Sequence, residues 1–218
     1  MACFRFSIWY NRRQVLPAER NRIVKNNARR NRPQKGRQHM AEIVSQAVIG
    51  MIQFYERESD VRLHDINHFM KVLGFARTIG LAEGLDPDTQ QTLELAAVAH
   101  DIACPLCRKK YGNTNGRAQE TEGNLLTREF YRDFDLPEKQ LDRICFIVAH
   151  HHTYTGVNGI DWQIMLEADF LVNADESQMS AGAIRSFRDR VFRTKTGTAL
   201  LNQMYPSADA AAPKGTDF

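Results

Sequence analysis

The sequence has few cysteines and no long apolar run. It contains only four cysteines: Cys3, Cys104, Cys107 and Cys145. Four in a chain of 218 residues do not predict a disulfide framework, so we interpret them as reduced thiols. No stretch approaches the roughly 18 consecutive apolar residues of a membrane span. The apolar patch at 4–10 runs into Arg12 rather than toward a cleavage site. We therefore expect a cytoplasmic protein with no membrane partner.

Acidic residues are almost absent from residues 1–39. This segment has eleven Lys or Arg and a single acidic residue, Glu19, so its charge is about +10. Subtracting that from the total of +3 leaves residues 40–218 at about −7. Residues 11–38 also lack a sustained apolar period, and we expect them to be disordered.

Three interpretations of the basic segment stay open: a nucleic-acid-binding arm, an organelle transit peptide, or an extension absent from the working protein. Few serines argue against the transit peptide, and no aromatic residues are interleaved with the basic run to stack on bases. Nucleic acid is therefore an expected partner only through this segment. We divide the chain into a basic extension (1–39), a helical domain (40–205) and a flexible C-terminal tail (206–218).

The alternating pattern of a half-buried strand is also missing. From Met40 to about 205 nearly every segment has helical spacing, which predicts an all-α fold, a compact single-domain bundle. In the second helix, at about 60–81, the apolar stripe includes His68, which therefore points inward. Asp86 and Pro87 begin a helix that is apolar almost all round and ends at His100 and Asp101.

Two aspartates and several histidines lie at or near these apolar faces. Asp101 and Asp169 each follow a strongly apolar helical run, where an ionised carboxylate is costly unless it is paired or binds a metal. One buried His or Asp is more often a hydrogen-bonded core group. The conjunction with His68 and His100 on separate helices favours a metal site instead. Imidazole plus carboxylate suits Mn, Fe, Co, Ni or Zn, while Mg prefers an all-oxygen site.

These residues also resemble a known family. NHFMKV at 67–72, AAVAHDIA at 96–103 and LEADFLVN at 166–173 are similar, in order, to the signatures of the HD superfamily of metal-dependent phosphohydrolases. The resemblance spans about residues 45–200. KKYGNTNGRAQETEG and HHHTYTG, at 109–123 and 150–156, resemble a bacterial subgroup of HD domain proteins. The resemblance implies an HD-type helical bundle with a divalent metal in its core.

The resemblance also implies roles for individual residues. The metal ligands would be His68, His100, Asp101 and Asp169, with Asp101 also touching the nucleophilic water. Lys71 falls where many members have a basic residue, and it would bind a substrate phosphate or pair with an acidic neighbour. Family members with two metals recruit further histidines.

Continuing the apolar stripe of the helix before 150 points His151 or His152 inward, and we select His151 to face the substrate or a second metal. Glu120 and Glu122 are candidates for supporting hydrogen bonds or a general acid. Cys104 and Cys107 lack the partners of a zinc site, and we interpret them as structural.

The function predicted from this set is metal-dependent phosphohydrolysis. A metal-activated water would cleave a small phosphate ester or a nucleotide, and the pattern does not select between them. Two alternatives stay open: a nucleotide-sensing HD module without turnover, and an HD-type diiron oxygenase. The absence of histidines between 101 and 150 argues against the diiron alternative.

Overall fold

A computed structural model describes the backbone of residues 32–206 and the side chains from residue 38 onward. Its helices are α1 (Arg32–Glu58), α2 (Arg62–Ala82), α3 (Pro87–Ala99), α4 (Cys104–Tyr111), α5 (Gly116–Tyr131), α6 (Glu138–Val148), α7 (Ile160–Glu176), α8 (Ala181–Val191) and α9 (Lys195–Met204). No strand occurs between residues 32 and 206, so the predicted all-α class is confirmed. Within the same range, no helix is long and apolar enough to cross a membrane.

The first helix differs from the prediction. α1 extends back to Arg32, the first residue that the structure describes, so residues 32–38, for which we expected disorder, are helical in the structure. A helix nucleated by the packed segment after Met40 can extend toward its N-terminus at little cost. The predictions for residues 1–31 and for 207–218 lie outside the described residues.

α3 and α7 form the centre of the bundle. All residues from Gln90 to Ala99 of α3 are buried, and α7 is buried from Asp161 to Val172. α3 contacts α1, α2, α6 and α7, while α2 packs along both α3 and α7. This all-round burial agrees with the predominantly apolar sequences at 93–99 and 164–172, which place apolar side chains on every side of each helix. The polar side chains that α2, α3 and α7 carry inward therefore meet in the interior.

Two helix ends place functional residues. Asp86 accepts hydrogen bonds from the backbone N–H groups of Asp88 and Thr89, which begins α3 as predicted. α3 ends at Ala99, so the His100-Asp101 doublet lies in the turn that follows. α6 ends at Val148, so residues 150–152 also follow a helix. The predicted continuation of the α6 stripe through the three histidines is therefore wrong, although His151 is fully buried.

Candidate metal centre

Four predicted ligands converge where α2, α7 and the turn after α3 meet. His68 Nε2 lies 3.1 Å from His100 Nε2 and 3.3 Å from Asp169 Oδ1. Asp101 Oδ2 lies 3.4 Å from His68 Nε2 and 3.5 Å from His100 Nε2. His68, His100 and Asp169 are buried, and the Asp101 side chain is 22% exposed. The sequence-predicted set thus occupies one small volume, which we call the first ligand group.

Hydrogen bonds on the outer side of each ring fix which nitrogen faces the centre. His100 Nδ1 lies 2.8 Å from the carbonyl oxygen of Ala97, which can only accept, so Nδ1 donates. His68 Nδ1 is 2.8 Å from Glu176 Oε2, a carboxylate oxygen that also only accepts, so this Nδ1 donates as well. In its neutral form, each imidazole therefore directs the lone pair of its Nε2 toward the Nε2 of the other ring and toward the carboxylates of Asp101 and Asp169. Because these lone pairs and negative charges repel one another, the group requires a cation.

The pKa directions agree with this requirement. Burial lowers the pKa of His68, but contact with Asp169 and the charge of Asp101 outweigh burial and raise it to about 10. Burial lowers the pKa of His100. The nearby His100 and His151 hold the pKa of Asp101 well below its usual range despite burial. Without a metal, the positive charge of the group is therefore a proton on His68.

The distances also fit a metal ion. Nitrogen and oxygen ligands bind transition metals at about 2.0–2.2 Å, which separates neighbouring ligand atoms by roughly 2.8–3.6 Å in octahedral or tetrahedral geometry. The five separations among ligand atoms of the first ligand group are 3.1, 3.3, 3.4, 3.5 and 3.6 Å. His68, His100 and Asp169 can each offer one ligand atom within 4.8 Å of the others. The residues of the first ligand group therefore fit a divalent metal.

A second ligand group lies beside the first. Ligand atoms of Asp101, His151 and His152 also lie within 4.8 Å of one another. His151 Nδ1 lies 2.7 Å from the carbonyl oxygen of Val148 and must donate to it. Its Nε2 then points a lone pair toward Asp101 Oδ1 at 3.5 Å, and this buried nitrogen has no hydrogen-bond partner among the described residues. Asp101 thus faces the first group with Oδ2 and the second group with Oδ1.

The start of α5 holds the turn that carries His151 and His152. Glu120 Oε1 accepts hydrogen bonds from the His152 N–H at 3.0 Å and from Thr153 Oγ1 at 2.9 Å. A Cβ at Gly116 would lie 2.7 to 2.8 Å from the His152 side chain, so only glycine permits this approach. Of the two predicted supporting glutamates, Glu120 therefore contacts the site. Glu122 instead accepts from Lys110 Nζ and the Tyr111 hydroxyl on the surface.

Glu176, at the end of α7, is a residue that the sequence reasoning missed. Besides contacting His68, it accepts a hydrogen bond from Lys71 Nζ at 2.9 Å, the acidic pairing that was one of the two predictions for Lys71. Lys71 lines a surface groove together with Phe75 and Tyr205, and it does not line the cavity to which the metal ligands contribute. The spacing of the sequence could have indicated this residue, because Glu176 stands two helical turns after Asp169 on α7 and therefore on the same face of the helix.

Members of both ligand groups line a cavity of about 700 Å³. His68, Asp101, Asp169 and His152 contribute to its lining, whereas the fully buried His151 does not. α5 adds Gln119, and Thr114, in the loop between α4 and α5, also lines it. Such a volume lies within the range of pockets that enclose small organic ligands. The arrangement can therefore hold a small molecule in contact with candidate metal ligands.

The predicted cysteine pair takes no part in either ligand group. Cys104 and Cys107 are buried free thiols on α4, and burial raises the pKa of both. Cys104 lines the cavity next to the Asp101 turn. Metal-ligand groups found between residues 38 and 206 contain no cysteine.

An all-helical bundle whose core presents histidines and aspartates to one point defines a protein with a candidate metal centre. Comparison with protein families gives a more specific class: the HD domain family model matches residues 65–180, more than half of the chain. The chain belongs to the HD domain family, in agreement with the resemblance to metal-dependent phosphohydrolases. A search of curated proteins and a search of solved structures each found no match.

Proposed function

We propose that this protein is a metal-dependent phosphohydrolase that cleaves a small phosphate ester. The observation that carries the proposal is that ligand atoms of His68, His100, Asp101 and Asp169 converge, and that all of these residues except His100 line a cavity of about 700 Å³. His68, His100, Asp101 and Asp169 would hold the metal. A bound divalent ion would polarise a phosphate oxygen and lower the pKa of a water molecule.

Asp101 has the central role among the side chains. Its two carboxylate oxygens face the two ligand groups, so it can bind a metal through one and orient the attacking water through the other. Its depressed pKa keeps it ionised and able to accept a hydrogen bond from that water. Asp101 thus positions the nucleophile.

The two neighbouring histidines, His151 and His152, have different roles in this proposal. His151, buried behind Asp101, orients the Asp101 carboxylate or completes a second metal site. His152 lines the cavity, and burial lowers its pKa to about 4, so it is neutral near pH 7 and can bind a metal. Lys71 acts through Glu176, whose negative charge it balances, rather than on substrate phosphate.

The test is a phosphatase and nucleotidase screen of the protein loaded in turn with Mn, Co, Ni, Mg and Fe. Asp101→Ala is assayed beside Asp133→Ala, a control at an aspartate whose side chain is 76% exposed. We expect turnover with at least one metal and its loss only in Asp101→Ala. An Asp101→Ala variant that kept both metal and activity would remove the proposal.

The same preparation separates the alternative functions. Metal retained without turnover of any phosphate ester would favour a sensing module. Two irons per chain with oxygen consumption would favour a diiron oxygenase, for which the adjacent second ligand group supplies the neighbouring position. Metal analysis and an oxygen electrode measure both quantities.

A further inference from the structure

A buried ion pair joins α4 to the start of α2, beside the first ligand group. Arg108 Nη2 donates to Asp65 Oδ2 at 2.5 Å, and Arg108 Nη1 lies 3.4 Å from Oδ1 of the same carboxylate. The Asp65 side chain is only 6% exposed. Arg108 also donates to Ser59 Oγ at 3.0 Å and to Asp60 Oδ1 at 3.1 Å, in the turn between α1 and α2. These acceptors together hold the guanidinium in one orientation.

Both members of the pair lie close in sequence to candidate metal ligands. Asp65 stands three residues before His68 on α2, so the two share a helix face. Arg108 belongs to α4, which continues directly from the turn that carries Asp101, and the Cys104 N–H donates to the Asp101 carbonyl oxygen at 2.9 Å. All five of these residues line the cavity. The ion pair and the approach of His68 to Asp101 therefore connect the same two parts of the chain, side by side.

The pair is also the polar link between α4 and α2. Between residues 38 and 206, the hydrogen bonds and ion pairs that join these two helices involve Arg108 and Asp65 alone. α4 otherwise packs on α5 and α1, whereas α2 packs on α3 and α7. The packing of α3 on α2 places the start of the turn after α3, and the ion pair holds its far end.

Arg108 has a second consequence, for the charge of the cavity wall. Asp65 is a third carboxylate in a wall that already contains Asp101 and Asp169. Arg108 neutralises Asp65, and both carboxylate oxygens face Arg108, with Ser59 Oγ donating to Oδ2 at 2.7 Å. A buried carboxylate without such a partner is costly. Asp65 is therefore held as half of an ion pair, and neither ligand group includes it.

We propose that the Asp65–Arg108 ion pair positions Asp101 relative to His68 and thereby sets the affinity of the first ligand group for its metal. The inference rests on the metal site of the proposed function, and both residues act through the ligands rather than on substrate. Residues that orient metal ligands from outside typically contribute about 10- to 100-fold in metal affinity. We expect the lower end of this range for Arg108, because it hydrogen-bonds to no ligand of the first group between residues 38 and 206.

The first experiment titrates the metal-free full chain with Mn²⁺ or Co²⁺ by calorimetry and follows thermal unfolding by circular dichroism. Arg108→Met is compared with Arg143→Met. Arg143 is a matched control, because it forms a similarly buried pair with Asp161, at 2.6 and 2.8 Å, and lies outside the cavity lining. Both variants should lose stability, but only Arg108→Met should bind metal about tenfold more weakly. Unchanged affinity in Arg108→Met, or an equal loss in Arg143→Met, would overturn the inference.

A double variant separates positioning from the removal of a buried charge. Asp65→Leu combined with Arg108→Met replaces the pair by apolar side chains, so no carboxylate is left without its partner. We expect this variant to recover stability relative to Arg108→Met while its metal affinity stays low. Recovery of the wild-type affinity would show that Arg108 serves only to neutralise Asp65, and it would overturn the positioning role.

Hydrolysis is assayed separately with the metal-loaded wild-type protein and the same panel of phosphate esters. Weaker metal binding in Arg108→Met, with no ester hydrolysed by the wild-type protein, would retain the inference and contradict the phosphohydrolase proposal. Hydrolysis by the wild-type protein, with the same metal affinity in Arg108→Met, would overturn the inference and retain the proposed function.

Discussion

The two ligand groups use the same side-chain chemistry but are held in different ways. The first group stands on α2 and α7 and in the turn directly after α3, and Glu176 and a backbone carbonyl orient its imidazoles. The two histidines of the second group stand in the turn after α6 and depend on α5, which contacts that turn through Glu120 and Gly116. The packing of α2, α3 and α7 therefore forms the first ligand group, whereas the second ligand group also requires the contact with α5. Asp101 is common to both.

The largest expected effect separates the two groups by metal content. His100→Ala should abolish metal binding at the first group and reduce turnover by at least about 10³-fold, since metal catalysis supplies several kcal/mol. His151→Ala should remove only metal bound at the second group. Metal per chain and kcat are measured for both, beside His39→Ala, whose side chain is 56% exposed. Full metal content in His100→Ala would contradict the distinction between the two ligand groups.

A smaller effect is expected from the partner of His68. Glu176→Gln keeps the shape of the side chain but removes the charge that orients the ring, and we expect metal affinity to fall about 10- to 100-fold. Titration with Mn²⁺ or Co²⁺ measures it. Lys71→Met should change affinity less, because Lys71 acts only through Glu176. Unchanged affinity in Glu176→Gln would show that α2 packing alone orients His68.

Substitution of Glu120 and Glu122, two glutamates of α5, tests whether the second ligand group depends on that helix. Glu120→Ala leaves the His152 N–H and the Thr153 hydroxyl without their acceptor, which should lower the free energy of unfolding by about 1–3 kcal/mol. It should also reduce kcat. Glu120→Gln retains an acceptor oxygen and should recover most of both quantities. Glu122→Ala is the control, and an equal loss of kcat there would contradict a specific role for Glu120.

The smallest effect is expected from adding one methyl group at the contact between α5 and His152. Gly116→Ala would force the ring to move and should cost about 1–2 kcal/mol of unfolding free energy. Gly182→Ala, in the first turn of α8, meets no heavy atom within 4 Å and should be neutral or slightly stabilising. Chemical denaturation of both variants measures the difference. Equal stability would show that the turn adapts without loss.

The sequence was informative where a helix carries the residue. Burial of His68 and Asp169 follows from the apolar face on which each stands, and the His100-Asp101 doublet was correctly placed at the end of a buried helix. His151 was predicted to be inward by continuing a helical stripe, yet α6 ends at Val148. Its burial is therefore a result of tertiary contacts, which a periodic pattern does not encode.

By itself, the sequence determined the all-α class and the inward position of His68 and Asp169, because helical periodicity fixes which side chains face the interior, and it placed His100 and Asp101 at the end of a buried helix. Only the tertiary structure decided that Asp101 faces two groups, that Lys71 balances Glu176, and that His152 rather than His151 lines the cavity. These facts depend on which helices meet and on where turns direct the chain. Contacts between residues distant in sequence, such as Glu120 with His152 and His68 with Glu176, determine them.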